Sequence, residues 1–151
     1  MATCSACYIL SEHSMAQLES FQQREIDGII EEGSKAYDEG NLQKAIDQLK
    51  IAWTALPEPK TIYDESYHIA RFIVKLSLEQ DNLQQSREWA SVAQYCNPER
   101  ADIGEREFLS GQVAYKAGEL EEAKEFFKIA NDKSEGLCFQ GEDSIYEQLI
   151  K

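Results

Sequence analysis

One segment of this chain is written twice, and that repetition constrains the fold more than any other feature. Gly33-Ser-Lys-Ala36-Tyr37-Asp-Glu-Gly40-Asn-Leu42-Gln-Lys-Ala45 recurs as Gly111-Gln-Val-Ala114-Tyr115-Lys-Ala-Gly118-Glu-Leu120-Glu-Glu-Ala123, with the small and apolar positions kept one for one. The correspondence runs on through Leu49 and Phe127 to Ala52 and Ala130. Such self-similarity marks a stacked unit, which cannot bury its apolar face alone and covers it with its neighbour.

The unit is helical. Leu120, Ala123, Phe127 and Ala130 recur in steps of three and four, as do Leu42, Ala45, Leu49 and Ala52 with Ile46 and Trp53 beside them. That spacing lies on one helical face. Small residues let two helix backbones approach, and the larger ones fill the gaps between them. Gly40 and Gly118 fall where a first helix must end and turn, which suits their freedom at positive φ. Pro57 and Pro98 stop the second helices. A weaker copy lies between the two good ones, with Val74, Ser77, Ser86, Ala90, Ala93 and Pro98 at the matching positions and Leu83 in the place of Leu42 and Leu120.

The fold class expected is therefore all-α, with helices over 15–39, 42–56, 61–79, 82–96, 100–117 and 119–133 and a short one over 144–150. Ser14 with Gln17, and Ser144 with Glu147, have the spacing of capping boxes at the first and last of these. No period-two strand pattern is present. A chain of 151 residues fits one domain with a continuous core. The domain is expected over 15–151. Residues 1–14 read as an N-terminal extension and a candidate for disorder, and Met15 could be a natural start.

Charge narrows the function classes. There are 15 Lys and Arg against 28 Asp and Glu, a formal net charge of −13. Such a charge repels phosphate backbones and anionic membrane surfaces, and it attracts basic partners. The sequence thus argues for a protein partner and against nucleic acid or membrane. No apolar run is long enough to span a bilayer. Met1 to Leu10 has no basic residue ahead of its apolar patch, which is the first requirement of a secretory signal, so a cytoplasmic location is expected.

The four cysteines are Cys4, Cys7, Cys96 and Cys138, expected as reduced thiols in that compartment. Cys4 and Cys7 form a lone C-x-x-C. A zinc site needs two more ligands at suitable spacing, and His13 is the one nearby candidate. The cysteines read as structural or incidental, with no metal and no cofactor implied. The chain has no G-x-S-x-G, P-loop or H-E-x-x-H pattern, and its two histidines, His13 and His68, lie in different segments. An enzyme is not expected.

The repeated unit resembles the tetratricopeptide repeat, a helix-turn-helix of about 34 residues. The family's small, bulky and proline positions fall on Gly33, Ala36, Ala45, Leu49, Ala52 and Pro57 in the first copy. In the third they fall on Gly111, Ala114, Ala123, Phe127, Ala130 and Glu135. Ala36 departs from the expected bulk, with Tyr37 beside it, and Glu135 replaces the proline. Pro57 to Pro98 exceeds the usual period by about seven residues, which lengthens the loop or helix around Glu58 to Glu65. The resemblance covers roughly residues 26–134 and implies about three helix pairs in a short right-handed solenoid, ending in the short C-terminal helix.

The resemblance also implies where a partner sits, on the concave face lined by the first helix of each repeat. The family's contact positions give Asp27, Ile30, Ser34, Tyr37 and Asp38, then His68, Arg71, Lys75, Leu78 and Glu79, then Glu105, Phe108, Gln112, Tyr115 and Lys116. Tyr37, His68, Arg71, Lys75, Phe108, Gln112, Tyr115 and Lys116 form the expected partner-binding set. Aromatic and Arg side chains there are plausible anchors, while Tyr37 and Tyr115 could equally belong to the core. Ile30 and Ser34 replace the Lys and Asn of carboxylate-gripping members, so a two-carboxylate clamp is not supported.

The phrase Ala52-Trp-Thr-Ala-Leu-Pro-Glu-Pro-Lys60 and the ending Lys133-Ser-Glu-Gly136 with Gly141-Glu-Asp-Ser-Ile-Tyr-Glu147 look like small bacterial tetratricopeptide proteins of the toxin-immunity type. That resemblance implies an acidic cytoplasmic antidote, a monomer or homodimer, that binds a basic toxin domain through charge complementarity. The alternative is a chaperone or adaptor, similar to a secretion chaperone, holding an extended client segment.

Overall fold

The computed structural model describes residues 16–97 and 103–151. The extension 1–14, with Cys4, Cys7 and His13, and the helix stop at Pro98 lie outside the described residues. Within them the chain is all-helical. Its α-helices are α1 (Ser20–Asp38), α2 (Leu42–Ala55), α3 (Asp64–Glu79), α4 (Leu83–Tyr95), α5 (Glu105–Lys116), α6 (Leu120–Ser134) and α7 (Ser144–Leu149). Short 3₁₀ turns cover Lys60–Ile62 and Leu137–Phe139. Strand-type pairing is confined to one isolated bridge, Ala16 to Tyr63, among the described residues.

Three helix pairs follow one another. α1 packs on α2, α3 on α4 and α5 on α6, and the pairs lean on each other through α2–α3 and α4–α5. The small residues of the repeat lie at these seams. Ala45, Ala52, Ala93, Ala123 and Ala130 are at most 1% exposed. The weak middle copy has serines at two such positions, and both are fully buried and satisfied. Ser77 Oγ donates to the Ile73 carbonyl at 2.6 Å and Ser86 Oγ to that of Asn82 at 2.8 Å. A hydroxyl that bonds back into its own helix takes the room of an alanine without leaving an orphan polar atom.

The turn inside each pair is built the same way three times. Asn41 N–H donates to the Ala36 carbonyl at 2.8 Å, Asn82 to Ser77 at 2.9 Å and Glu119 to Ala114 at 2.9 Å. This six-to-one bond needs a left-handed residue before the donor. Gly40 and Gly118 supply it at φ 80° and 81°, and Asp81 supplies it at φ 58°. Asn41 and Asn82 then cap the next helix through their side chains, each at 3.1 Å from the N–H three residues on.

The ends differ from the expectation in several places, α5 among them, which begins at Glu105 after a left-handed Gly104 rather than at 100. α1 begins at Ser20, not near Met15, because Glu19 and Gln22 form the capping box. α7 is capped by Asp143, whose carboxylate accepts from Ile145 N–H at 3.1 Å, rather than by a Ser144–Glu147 box. The residues inserted before the middle pair form the Leu56–Tyr63 link and its 3₁₀ turn.

Between the second and third pairs Leu109 and Val113 join the apolar cluster of α3 and α4, and one buried cation is added to that joint. Arg106 is 6% exposed. Its guanidinium donates to the Gln94 carbonyl at 2.9 Å and also to the carbonyls of Cys96 and Asn97. These are carbonyls at the end of α4, which the helix itself leaves unpaired. A cation suits the negative end of the helix dipole.

Candidate functional site

The first helices of the three pairs, α1, α3 and α5, share one side of the molecule, and two adjoining hollows lie along it. The first, of about 310 Å³, opens between α1 and α3. Ile30, Ala45, Leu49 and Leu76 line it, with Tyr37 and Phe72 at its mouth. The second, of about 550 Å³, lies between α3, α5 and the segment after α6. Arg71, Phe108 and Gln112 reach it from the helices, and Cys138, Gln140 and Glu142 close it from the C-terminal side. Lys75 lines both hollows and joins them.

The side chains expected to bind a partner divide between this groove and its surroundings. Tyr37, Arg71, Lys75, Phe108 and Gln112 line the hollows. His68, one turn before Arg71 on α3, instead sits 3.3 Å from the Asp64 carboxylate and edge-on to Tyr67. Lys116 pairs with Asp81 at 3.1 Å, bridging the turns of two neighbouring pairs. Tyr115 packs edge-on against Tyr146, ring centroids 5.4 Å apart.

The third pair is covered by the chain itself. Tyr146 of α7 lies 5.8 Å from Phe108 and 5.2 Å from Phe127, and Phe139 lies 5.1 Å from Phe108. Phe108 and Gln112 are consequently only 6% and 8% exposed. Burial pushes the Tyr146 phenol up from its ordinary value, with Glu142 and Asp143 adding to the rise and Gln112 opposing it. Glu142 completes the cover by reaching Lys75 of α3 at 3.6 Å. The C-terminal segment thus seals the aromatic end of the face, while the α1–α3 end stays open.

Electrostatics differ along the groove. Arg71 forms no ion pair among the described residues, and its guanidinium carbon rests 5.6 Å from the Phe72 ring centroid. At the other end Tyr37 donates its hydroxyl to Glu79 at 3.3 Å, and Asp38 lies beside them. Phe72 and Glu142 were not among the residues expected from sequence. Phe72 falls between two family contact positions, and Glu142 arrives from a segment outside the repeat.

Two cysteines lie among the described residues. Cys96 is fully buried with its Sγ donating to the Val92 carbonyl at 3.3 Å, and burial raises its thiol above the ordinary value. Cys138, half-buried at the rim of the larger hollow, is raised for the same first cause. Both are free thiols. Among the described residues no group of three or more His, Cys, Asp or Glu side chains could hold a metal ion. No described helix is long and apolar enough to cross a membrane. Comparisons with protein-family models, with curated proteins and with solved structures give no match for this chain.

Proposed function

We propose that this chain is a non-enzymatic protein-binding module of tetratricopeptide type, with the α1–α3–α5 groove as its partner site. The observation that carries this reading is the open apolar hollow between α1 and α3, whose mouth holds two half-exposed aromatic rings, Tyr37 and Phe72. Aromatic side chains at the mouth of an apolar pocket are the common anchors of protein interfaces. The threefold turn geometry and the buried small residues at the seams support the repeat assignment.

Within that reading the best biological use is that of a cytoplasmic immunity protein, which binds a toxin domain and neutralises it. The net charge of −13 supports this use, since an acidic antidote associates quickly with a basic target. A chaperone or adaptor role is the second reading, and the size of the hollow favours it. About 310 Å³ holds one or two large side chains of a segment rather than a broad domain face.

The test is a pull-down of the tagged protein from its source cells, with bound chains identified by mass spectrometry. Capture of one toxin-bearing polypeptide through its terminal domain supports the antidote. Capture of several secretion clients supports the adaptor and removes the antidote.

A further inference from the structure

The hollow between α1 and α3 has a shape and charge pattern that narrow the kind of protein segment it can take, given that its occupant is a protein as proposed for the groove. Its centre is apolar. Tyr37 and Phe72 keep 45% and 43% of their surface exposed, so two aromatic rings stand over Ile30 and Leu76 without a covering element. The free charges beside it differ in sign: Arg71 lines the adjoining hollow, with its guanidinium carbon 5.6 Å from the Phe72 ring centroid at this hollow's mouth. Arg71 forms no ion pair among the described residues. At the far end Asp38 and Glu79 meet no cation among the described residues, Glu79 receiving only the neutral hydroxyl of Tyr37 at 3.3 Å. Lys75, midway, is already answered by Glu142 at 3.6 Å. Arg71 and Glu79 are eight residues apart on α3, hence about 12 Å along its axis.

We infer that the α1–α3 hollow docks a short amphipathic helix of a partner protein, which presents one large apolar residue flanked about one turn away by an acidic residue on one side and a basic residue on the other. The apolar residue enters between Tyr37 and Phe72, the acidic one meets Arg71, and the basic one meets Asp38 and Glu79. A helix fits better than an extended strand for a specific reason. Both walls are helices, whose backbone groups are already paired, so an extended segment would find no edge to bond with. A helix brings its backbone satisfied and offers residues at the required spacing. The acidity of the chain as a whole would attract any basic surface. Arg71, beside the Phe72 mouth on the adjoining hollow, and the apolar centre add the demand for mixed charge.

The probe is a phage library of random helical peptides about three turns long, selected on the full chain. The enriched peptides should share a large apolar residue with an acid and a base on opposite sides, three to five positions away. Order along the peptide carries no weight, since a helix can lie in the groove in either direction. Affinity should fall about tenfold or more for Phe72→Ala and stay unchanged for Phe21→Ala, which is equally aromatic and 70% exposed but lies at the far end of α1. Arg71→Glu should prefer peptides whose acid has been replaced by a base, a gain that a merely unfolded variant cannot give. Selection of uniformly basic peptides whose binding ignores Phe72→Ala would overturn this inference while leaving a protein-binding module in place. Enrichment of no peptide, in a chain that still captures a protein from cells, would overturn it as well. Failure of both selection and capture would remove the module reading itself.

Discussion

A β-carbon added at Gly111 would stand 2.6 Å from Cε1 and 2.8 Å from Cδ1 of Phe127. That ring is fully buried and wedged against Phe108, Phe139 and Tyr146, so it cannot swing away. Gly33 holds the same place in the first pair, yet its nearest neighbours would be Gln48 Cβ at 3.4 Å and the Ala45 carbonyl at 3.5 Å, which is ordinary contact. Ala is favoured over Gly inside a helix by about 1 kcal/mol, whereas overpacking a core costs about 1–3 kcal/mol. Gly33→Ala should therefore leave stability unchanged or raised, and Gly111→Ala should lower it by up to about 2 kcal/mol. Urea melts of the two variants check this, and equal effects of the two would refute it.

Arg106 should matter more than any surface charge. Buried ion pairs can often be replaced by apolar side chains at no loss, but Arg106 holds carbonyls at the end of α4, and these remain when it is gone. Arg106→Met should destabilise by about 2–4 kcal/mol, since unsatisfied buried acceptors cost about 1–3 kcal/mol each and do not add fully. Arg106→Lys should recover only part of this, lacking the planar fork. Thermal unfolding resolves both, and a Met variant as stable as the parent would contradict the reading.

Asp81 sits at φ 58° where the other two turns have glycine. Its carboxylate also pairs with Lys116 at 3.1 Å, with both side chains well exposed. Relief of left-handed strain is worth about 1 kcal/mol, and an exposed pair is worth about 0–1 kcal/mol. The strain should win narrowly, so Asp81→Gly should raise the melting temperature or leave it level. A clear fall would show that the pair outweighs the strain.

The last helix, α7, rests on the third pair through Tyr146, with Leu149 and Ile150 beside it. Tyr146→Ala should release α7 from Phe108, Tyr115 and Phe127, lowering stability by about 1–3 kcal/mol from lost apolar burial. Hydrogen exchange over 144–149 should quicken while the turns at Gly40 and Asp81 stay protected. Uniform loss of protection across all three pairs would mean that the segment is part of the common core.

Alkali should weaken the fold through the buried thiol of Cys96 and the half-buried thiol of Cys138. Cys96 and Cys138 are acids raised above their ordinary values, chiefly by burial. The stability they contribute is fully present below the unfolded thiol value of about 8.5 and is lost as pH rises through the higher folded value. Stability should thus fall above about pH 8.5, and Cys96→Ala should make that fall shallower even though its starting stability is lower. Urea midpoints measured between neutral and alkaline pH decide it, an unchanged slope counting against the thiol.

The all-helical class and the two glycine turns were legible in the chain alone, because a helix face and a left-handed turn are local demands written at fixed spacing. Ala45 and Ala52, or Ala123 and Ala130, show their burial by recurrence. The third turn was placed by Leu83 between the helices expected over 61–79 and 82–96, but the left-handed φ of Asp81 was not legible, since Asp only tolerates the conformation that Gly signals. Arg106 could not be read as buried, because its acceptors are carbonyls, which every residue carries. The open and closed ends of the groove depended on tertiary structure most of all. Phe72, Tyr37 and Tyr115 have similar apolar character in the sequence, but only the return of Tyr146 and Glu142 across α5 and α3 covers one end and leaves the other exposed. Contacts between segments so far apart in the chain have no period to betray them, and packing alone decides which aromatic rings remain available to a partner.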